Sequence, residues 1–347
     1  MKHLWVAGVW VVLAGQPTPP PAPAPAIEGI INALRTHQIV AISDPHGSAT
    51  TQAFIRKLIA DPRFADVVDD MVVEIGNARY QPIVDDYVNG RAIDESALAE
   101  VWLNTTVANQ ISADIEWFRL VRQINRTRSA GRRMRILLGD PPIDWTKVQT
   151  REDHFKWLAQ RDSFPAALIQ TEVLAKERRA LVVYGHMHFQ RQQANSNFFM
   201  GDWRAQTIVS LIERAGPTRV FTVWSLGDEL TGVFPEAASW PRPAFAAVGG
   251  TSLGSVDVGR LYPKRPRMQV ANGQMKPLAA NEWAVLPIEQ QLDAVLYFGP
   301  TADDVRIQRS NEPCSRPGFL QERLRRITLT GIPRFEAEAI EKLCAAP

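Results

Sequence analysis

Gln38-Ile39-Val40-Ala41-Ile42-Ser43-Asp44-Pro45-His46-Gly47 is an apolar run of strand length that stops at a carboxylate, a proline, an imidazole and a glycine. An unbroken Ile/Val/Ala run fits a strand buried on both faces, as in a parallel sheet. Pro45 cannot continue a ladder and Gly47 tolerates a sharp turn. Ser48 or Thr50 can then cap a helix that carries Phe54, Leu58 and Ile59. Strand, polar turn and helix in this order are the arrangement in which open α/β sheets place ligand sites.

The same design recurs along the chain. Residues 70–77 form a second apolar run that contains Glu74. Residues 134–138 form a third, ending in Gly139-Asp140-Pro141-Pro142. A fourth, residues 180–184, ends in Gly185-His186-Met187-His188. Further apolar segments lie at 218–223 and 292–298. Helical stretches are expected near 27–37, 94–110, 111–128, 152–178, 205–214, 317–326 and 333–344, with Ser163 capping one of them and Pro165 in its first turn. Arg119, Arg122, Arg126 and Arg128 mark the polar side of the 111–128 helix, either an anion-attracting face or a solvated one. Residues 235–290 are rich in Pro, Gly and Ala, include Lys264, Arg265 and Arg267, and show no clear period. They read as a loop-rich excursion, either a lid or a weakly ordered insertion. The expected fold is therefore α/β: a mostly parallel β-sheet flanked by helices, with a helical insertion between the second and third strands and the loop-rich excursion.

The 347 residues suffice for a well-buried core, and the composition is globular, 45% hydrophobic and 22% charged. A net charge of +2 gives no electrostatic case for nucleic acid. Residues 1–15 read as a secretory signal peptide, with Lys2 and His3 before an apolar run too short to span a bilayer comfortably. Gln16 follows where a lipoprotein signal would carry Cys. The Pro/Ala run of residues 19–26 reads as a stiff spacer. The expected organisation is a signal and spacer over residues 1–26 and one α/β domain over 27–347. The product would be periplasmic or secreted, with no membrane span after cleavage. Export would make a disulfide between the only two cysteines, Cys314 and Cys344, chemically possible; two unpaired surface thiols are the alternative.

In a parallel sheet the C-terminal strand ends share one edge. Asp44, His46, Glu74, Asp140, His186 and His188 should therefore converge, and three of the chain's six histidines are among them. Two chemistries fit. A carboxylate–imidazole cluster can act as general base on water, with a neighbour holding the tautomer. Alternatively, His46, Glu74 and one or both of His186 and His188, with Asp140, supply ligands to a divalent metal such as Mn²⁺, Co²⁺ or Zn²⁺ that activates water. The paired imidazoles at 186 and 188 and the short Asp44 arm tilt the reading toward metal. There is no Gly-rich phosphate loop and no Gly-x-Ser-x-Gly elbow, which argues against a serine nucleophile at Ser43 or Ser48.

These motifs resemble the superfamily of the erythromycin-esterase-like proteins, the ChaN-type haem-uptake proteins and the Tiki metalloproteases. Ser43-Asp44-Pro45-His46-Gly47 is similar to its Gly-Glu-x-His, with Asp44 in place of Glu. Val73-Glu74 resembles the second-strand motif, and Gly185-His186-Met187-His188 the late His motif. Supporting stretches fall in order: Asp86-Tyr87-Val88-Asn89-Gly90, Glu116-Trp117-Phe118-Arg119 with Asn125, Leu138-Gly139-Asp140, and Arg161-Asp162. The likeness spans about residues 28–225. It implies a hydrolase of an ester, lactone or amide bond in a small-molecule substrate, with His46, Glu74 and His188 activating water, Asp44 and Asp140 orienting or ligating, and Arg161 stabilising negative charge. A haem- or ligand-binding protein using His46 or His188, with Tyr80 and Tyr184 lining the pocket, is the alternative that the ChaN branch implies. A second resemblance is to calcineurin-like metallophosphoesterases, through Asp44-Pro45-His46-Gly47 and Gly185-His186-Met187-His188. The Gly-Asn and Gly-Asp motifs come in the reverse order for that family, and Ala78-Arg79 follows Gly76-Asn77 where it has His and an acid.

Overall fold

The computed structural model describes residues 18–108, 115–191, 206–262, 268–271, 274–277, 279 and 285–345. In chain order these form β1 (Ala24–Pro25), α1 (Ala26–Thr36), β2 (Ile39–Ser43), α2 (Ala49–Ala60), α3 (Phe64–Val67), β3 (Asp70–Asn77), α4 (Gln81–Val88), α5 (Glu95–Leu103) and α6 (Ile115–Asn125). There follow β4 (Arg135–Asp140), α7 (Arg151–Leu158), α8 (Ser163–Leu168), β5 (Ala180–Tyr184), α9 (Ile208–Ala215), β6 (Phe221–Leu226) and α10 (Asp228–Val233). The last elements are β7 (Ala244–Ala247), β8 (Met268–Ala271), β9 (Gln274–Pro277), β10 (Ala294–Tyr297), α11 (Phe319–Thr330) and α12 (Arg334–Ala345).

Eight strands make one sheet in the order β1-β7-β10-β6-β2-β5-β3-β4. The run from β10 to β4 is parallel throughout, and the β1–β7–β10 edge is antiparallel. The expected mostly parallel α/β sheet is thus the observed one. Strand β2 lies at its centre, with Ile42 registered against Val183 of β5 and Val223 of β6.

Alternation along each strand builds a core on both faces. Val40, Ile42, Met71, Val73, Ile136, Leu138, Leu181 and Val183 face a core closed by α1, α2, α4, α5 and α6. Ile39, Ala41, Val72, Leu137, Ala180 and Val182 face the opposite core, closed by α8 and α9. These strand residues are at most 4% exposed, which explains why they read as continuous apolar runs. Ser48 caps α2, its hydroxyl accepting from the Thr51 amide at 3.0 Å. The 152–178 stretch is broken rather than continuous. Ser163 begins α8, and Asp162 holds its N-cap position without capping it.

The described part of residues 235–290 up to Tyr262 is built into the fold. Their β7 joins the main sheet, and Leu253, Val258 and Leu261 pack with Trp224, Trp240 and Tyr297 into a separate apolar core. Leu253 lies in a turn and Val258 and Leu261 on a single 3₁₀ turn, too short for a period, so their burial produced no strand or helix signal. Lys264, Arg265 and Arg267 lie outside the described residues, as do residues 1–15 of the expected signal and 109–110 and 111–114 of two expected helices. The Pro/Ala run is not a free spacer where it is described: Ala24 and Pro25 pair with Phe245 and Ala244, and Pro19 accepts from the Ser252 amide at 2.8 Å. An edge strand tolerates proline because its outer N–H has no ladder partner. Among the described residues, no helix is long and apolar enough to cross a membrane.

The basic side of α6 serves its neighbours. Arg122 donates to the carbonyls of Tyr87, Gly90 and Arg91, Arg119 pairs with Glu95 and Glu116, and Arg128 pairs with Asp66. At the C-terminus, Cys314 and Cys344 are joined in a disulfide, their Cα atoms 5.2 Å apart.

Candidate active site at the strand C-termini

Strand β2 ends at Ser43, and a turn through Gly47 at φ +80° carries His46 out over the sheet edge. Only a residue without Cβ adopts that angle at low cost. The His46 side chain is 58% exposed, with Nδ1 3.7 Å from Asp44 Oδ2 and Nε2 3.7 Å from Glu74 Oε2. Both carboxylates are buried, Asp44 at 6% and Glu74 at 6% exposure. The close approach depends on Gly185, since a Cβ there would stand 3.0 Å from His46 Nε2.

Glu74 is the hub. Its Oε2 accepts from the Gly185 amide at 2.8 Å. Its Oε1 accepts from Arg161 and lies 3.5 Å from His188 Nε2. His188 in turn places Nδ1 2.9 Å from Asp162 Oδ1, an oxygen that also accepts from the Ile208 amide at 3.1 Å. The ring of Tyr184 meets the His188 ring edge-on at 5.5 Å between centroids. Asp140 stands behind Arg161, whose Nε is 3.8 Å from its Oδ1, and it accepts from both the amide and the hydroxyl of Thr106.

The charges follow from this geometry. Burial pushes the Glu74 carboxyl up, but His46, Arg161 and His188 outweigh it and hold the group well below the usual range. Burial opposes charge on His188, yet Asp162 and Glu74 raise its pKa to about 9. His46 is raised above 6.5 by Glu74 first and Asp44 next. Burial lifts Asp140 to about 7, against the pull of Arg161 and Thr106. Burial likewise drives the Tyr184 phenol well above its ordinary value. At neutral pH, Glu74 is an anion held among cations, and His46, raised above 6.5 by its two carboxylates, is the imidazole that faces open space.

That space is a cavity of about 650 Å³ bordered by His46, Glu74, Arg161, His186, His188 and Tyr262 among others. A second cavity, also about 650 Å³, shares His46, Glu74, Arg161 and Arg306 with the first and reaches Asp140 and Trp117.

The sheet edge thus brings Asp44, His46, Glu74, Arg161 and His188 together, with Asp140 one step behind. His186 stands apart from Glu74: its ring stacks on Tyr262 at 5.3 Å and lies against Trp224 at 5.3 Å. The five expected metal ligands therefore do not form one donor set. Among the described residues, no group of three or more His, Cys, Asp or Glu side chains is arranged to hold a metal ion. The physical reason is Arg161, whose guanidinium already sits on Glu74 and beside Asp140, where a metal would need those oxygens. Asp162 was legible only as half of Arg161-Asp162, without a role. Thr106 had no signal, because it reaches the site from a loop 34 residues from Asp140.

The fold and the charge cluster define an α/β protein with one strand-end site of carboxylates, imidazoles and a buried guanidinium. No protein-family model matches the chain, and no curated protein does either. Among solved structures, a succinoglycan biosynthesis protein superposes with a TM-score of 0.53 at 10% identity, covering 83% of this chain and 96% of its own. That likeness is one of fold. A Bacillus cereus protein aligns at a TM-score of 0.43 and 10% identity, over 85% of this chain and 95% of its own. The type III effector HopBA1 aligns at 0.36 and 17%, over 62% of this chain and 89% of its own.

Proposed function

We propose that this chain is an exported hydrolase, similar to the erythromycin-esterase-like proteins, that cleaves an ester, lactone or amide bond by water activation at His46. The observation that supports it most is His46 itself. It is an exposed imidazole in a cavity, flanked by two buried carboxylates at 3.7 Å, with its pKa moved up from 6.5 toward the working pH. In this reading His46 takes a proton from water as the water oxygen attacks the carbonyl carbon. It then gives the proton to the leaving group. Arg161 and protonated His188 border the same cavity and offset the charge that develops on the carbonyl oxygen. Glu74 and Asp162 keep those two cations in place. No step runs through a metal, since the donor set does not fit one; the same misfit weighs against the metallophosphoesterase reading.

The disulfide agrees with an oxidising compartment and so with export. N-terminal sequencing of protein from the periplasm or medium tests it. The mature chain should begin after about residue 15 and retain Pro19, which the Ser252 amide engages.

The test of the chemistry is a panel of ester, lactone and amide substrates, assayed with wild type and His46→Ala. Hydrolysis that His46→Ala abolishes supports the reading. Full activity of that variant on an established substrate would place the chemistry elsewhere. The ligand-binding alternative rests on His46 as well, because its side chain is 58% exposed to the cavity while that of His188 is 15% exposed. A Soret band after haem reconstitution, lost in His46→Ala and with no hydrolysis on the panel, would favour it.

A further inference from the structure

The second cavity differs in lining from the first. Arg56, Arg161, Arg306 and Arg309 all border it, together with Asp44, Glu74 and Asp140. Glu74 and Asp140 are already committed to Arg161. Arg309 is paired with Glu336 at 3.3 Å. Arg306 is different. The carboxylates closest to it in sequence are committed elsewhere, Asp303 to Arg242 at 3.0 Å and Asp304 to the Ser48 hydroxyl at 2.8 Å. Arg306 is left without an ion-pair partner among the described residues.

Its position is nevertheless fixed. The Ala49 amide donates to Val305 at 2.7 Å and the Ile307 amide donates to Gly47 at 2.9 Å, so residues 305–307 are clamped to the turn that carries His46. The guanidinium lies over Gly47, where a Cβ would meet Nη2 at 2.6 Å. Arg306 also borders the first cavity, so it stands at the junction of the two, beside His46. An arginine held by its backbone, without an ion-pair partner among the described residues and bordering a cavity lined by further arginines, suits an oxyanion. Its planar fork matches carboxylate and phosphate geometry.

We propose that Arg306 binds an anionic substituent of the substrate in the second cavity, so that the bond attacked beside His46 belongs to a carboxylate- or phosphate-bearing molecule. This rests on the hydrolase reading for the word substrate; the anion site stands on Arg306 alone.

Two measurements test it. Calorimetric titration with succinate and with inorganic phosphate should show wild type binding at least one of them, and which one identifies the oxyanion. Arg306→Gln should weaken that binding about 10–100-fold, the range for a hydrogen-bonded charge, and Arg306→Lys should fall between. Binding of neither probe by wild type, or equal binding by Arg306→Gln with an unchanged melting temperature, overturns the site. The second measurement compares 4-nitrophenyl hydrogen succinate with 4-nitrophenyl acetate. The kcat/KM preference of wild type for the anionic ester should collapse in Arg306→Gln, mainly through KM. An equal loss on both esters would make Arg306 a structural residue and refute the proposal. If neither ester is cleaved, the titration alone decides the anion site, and the hydrolase reading is decided by the wider panel.

Discussion

Strand β3 carries two buried carboxylates four residues apart, and they lead opposite lives. Asp70, at its N-terminal end, is fully buried and receives four hydrogen bonds from two arginines. Arg135 Nε and Nη2 donate at 2.8 and 2.9 Å, and Arg178 Nε and Nη2 at 2.8 and 2.8 Å. Each oxygen is matched at ideal length and no room is left for anything else. Glu74, toward the C-terminal end, has one guanidinium, one amide and two imidazoles at 3.5 and 3.7 Å, and it borders both cavities. Saturated, short contacts bind β3, β4 and the start of β5. Looser contacts around shared oxygens keep a charge available. In an open α/β sheet the carboxyl edge is where ligands sit, so on the proposed reading a carboxylate supports stability at one end of the strand and chemistry at the other.

The largest effect that should separate the two ends is on turnover. His46→Ala should lower it by roughly 10²–10⁴-fold, the usual worth of a general base, with thermal unfolding shifted little because the side chain is mostly in water. Glu74→Gln should lose turnover comparably and also lose stability, since Arg161 and His188 give up their shared anion. At the other end, Asp70→Asn should cost about 3 kcal/mol in denaturant unfolding. That is the lower part of the range for orphaning buried charges, because Arg135 and Arg178 keep 28% and 23% of their side chains exposed. Turnover per folded molecule should survive it. A turnover loss in Asp70→Asn as large as in His46→Ala would erase the distinction between the ends.

Much of this was legible because parallel strands announce themselves as unbroken apolar runs, and their last residues must share an edge. Asp44, His46, Glu74 and His188 follow from that alone. His186 shows its limit: two residues before His188, it falls on the same Gly-His-Met-His turn, yet a 3₁₀ turn over residues 186–189 sends its ring to Tyr262. Alternation rules lapse once the strand has ended. Asp70 shows a second limit, since nothing in the sequence separates a clamped carboxylate from an active one. Strand β7 was hidden for a third reason: it is four residues long and mostly alanine, too short for a period. Its place in the sheet depends on β10, about fifty residues later, and not on local preference.

A smaller effect should come from Asp162→Asn. Asp162 helps hold the His188 pKa at about 9, above the ordinary 6.5. A raised imidazole contributes stability that is complete below 6.5 and lost as pH climbs through about 9. Wild type should therefore lose melting temperature across that window, and Asp162→Asn should flatten the loss. In turnover, wild type should show an acid limb above 6.5 from His46 and an alkaline limb near 9 from His188. The variant should move the alkaline limb to lower pH and leave the acid limb in place. An unmoved alkaline limb would mean that His188 does not act as a cation in the reaction.

The smallest expected effect is that of a chelator, and it tests what stands beside Glu74. The Arg161 guanidinium already occupies Oε1 of that carboxylate and the near side of Asp140. Protonated His188 adds a second positive charge 3.5 Å from the same oxygen. A divalent ion placed between them would meet repulsion of about 4 kcal/mol per unit-charge pair at 4 Å in a medium of effective dielectric 20. It would also have to strip a proton from His188 before that imidazole could ligate. EDTA followed by desalting should therefore leave turnover within assay error, and Mn²⁺, Co²⁺ or Zn²⁺ should add nothing. Loss on chelation with restoration by one of these ions would show that Arg161 yields its place to a metal. Glu74 would then be a ligand rather than the anchor of two organic cations, and the contrast with Asp70 would have to be redrawn as metal against arginine.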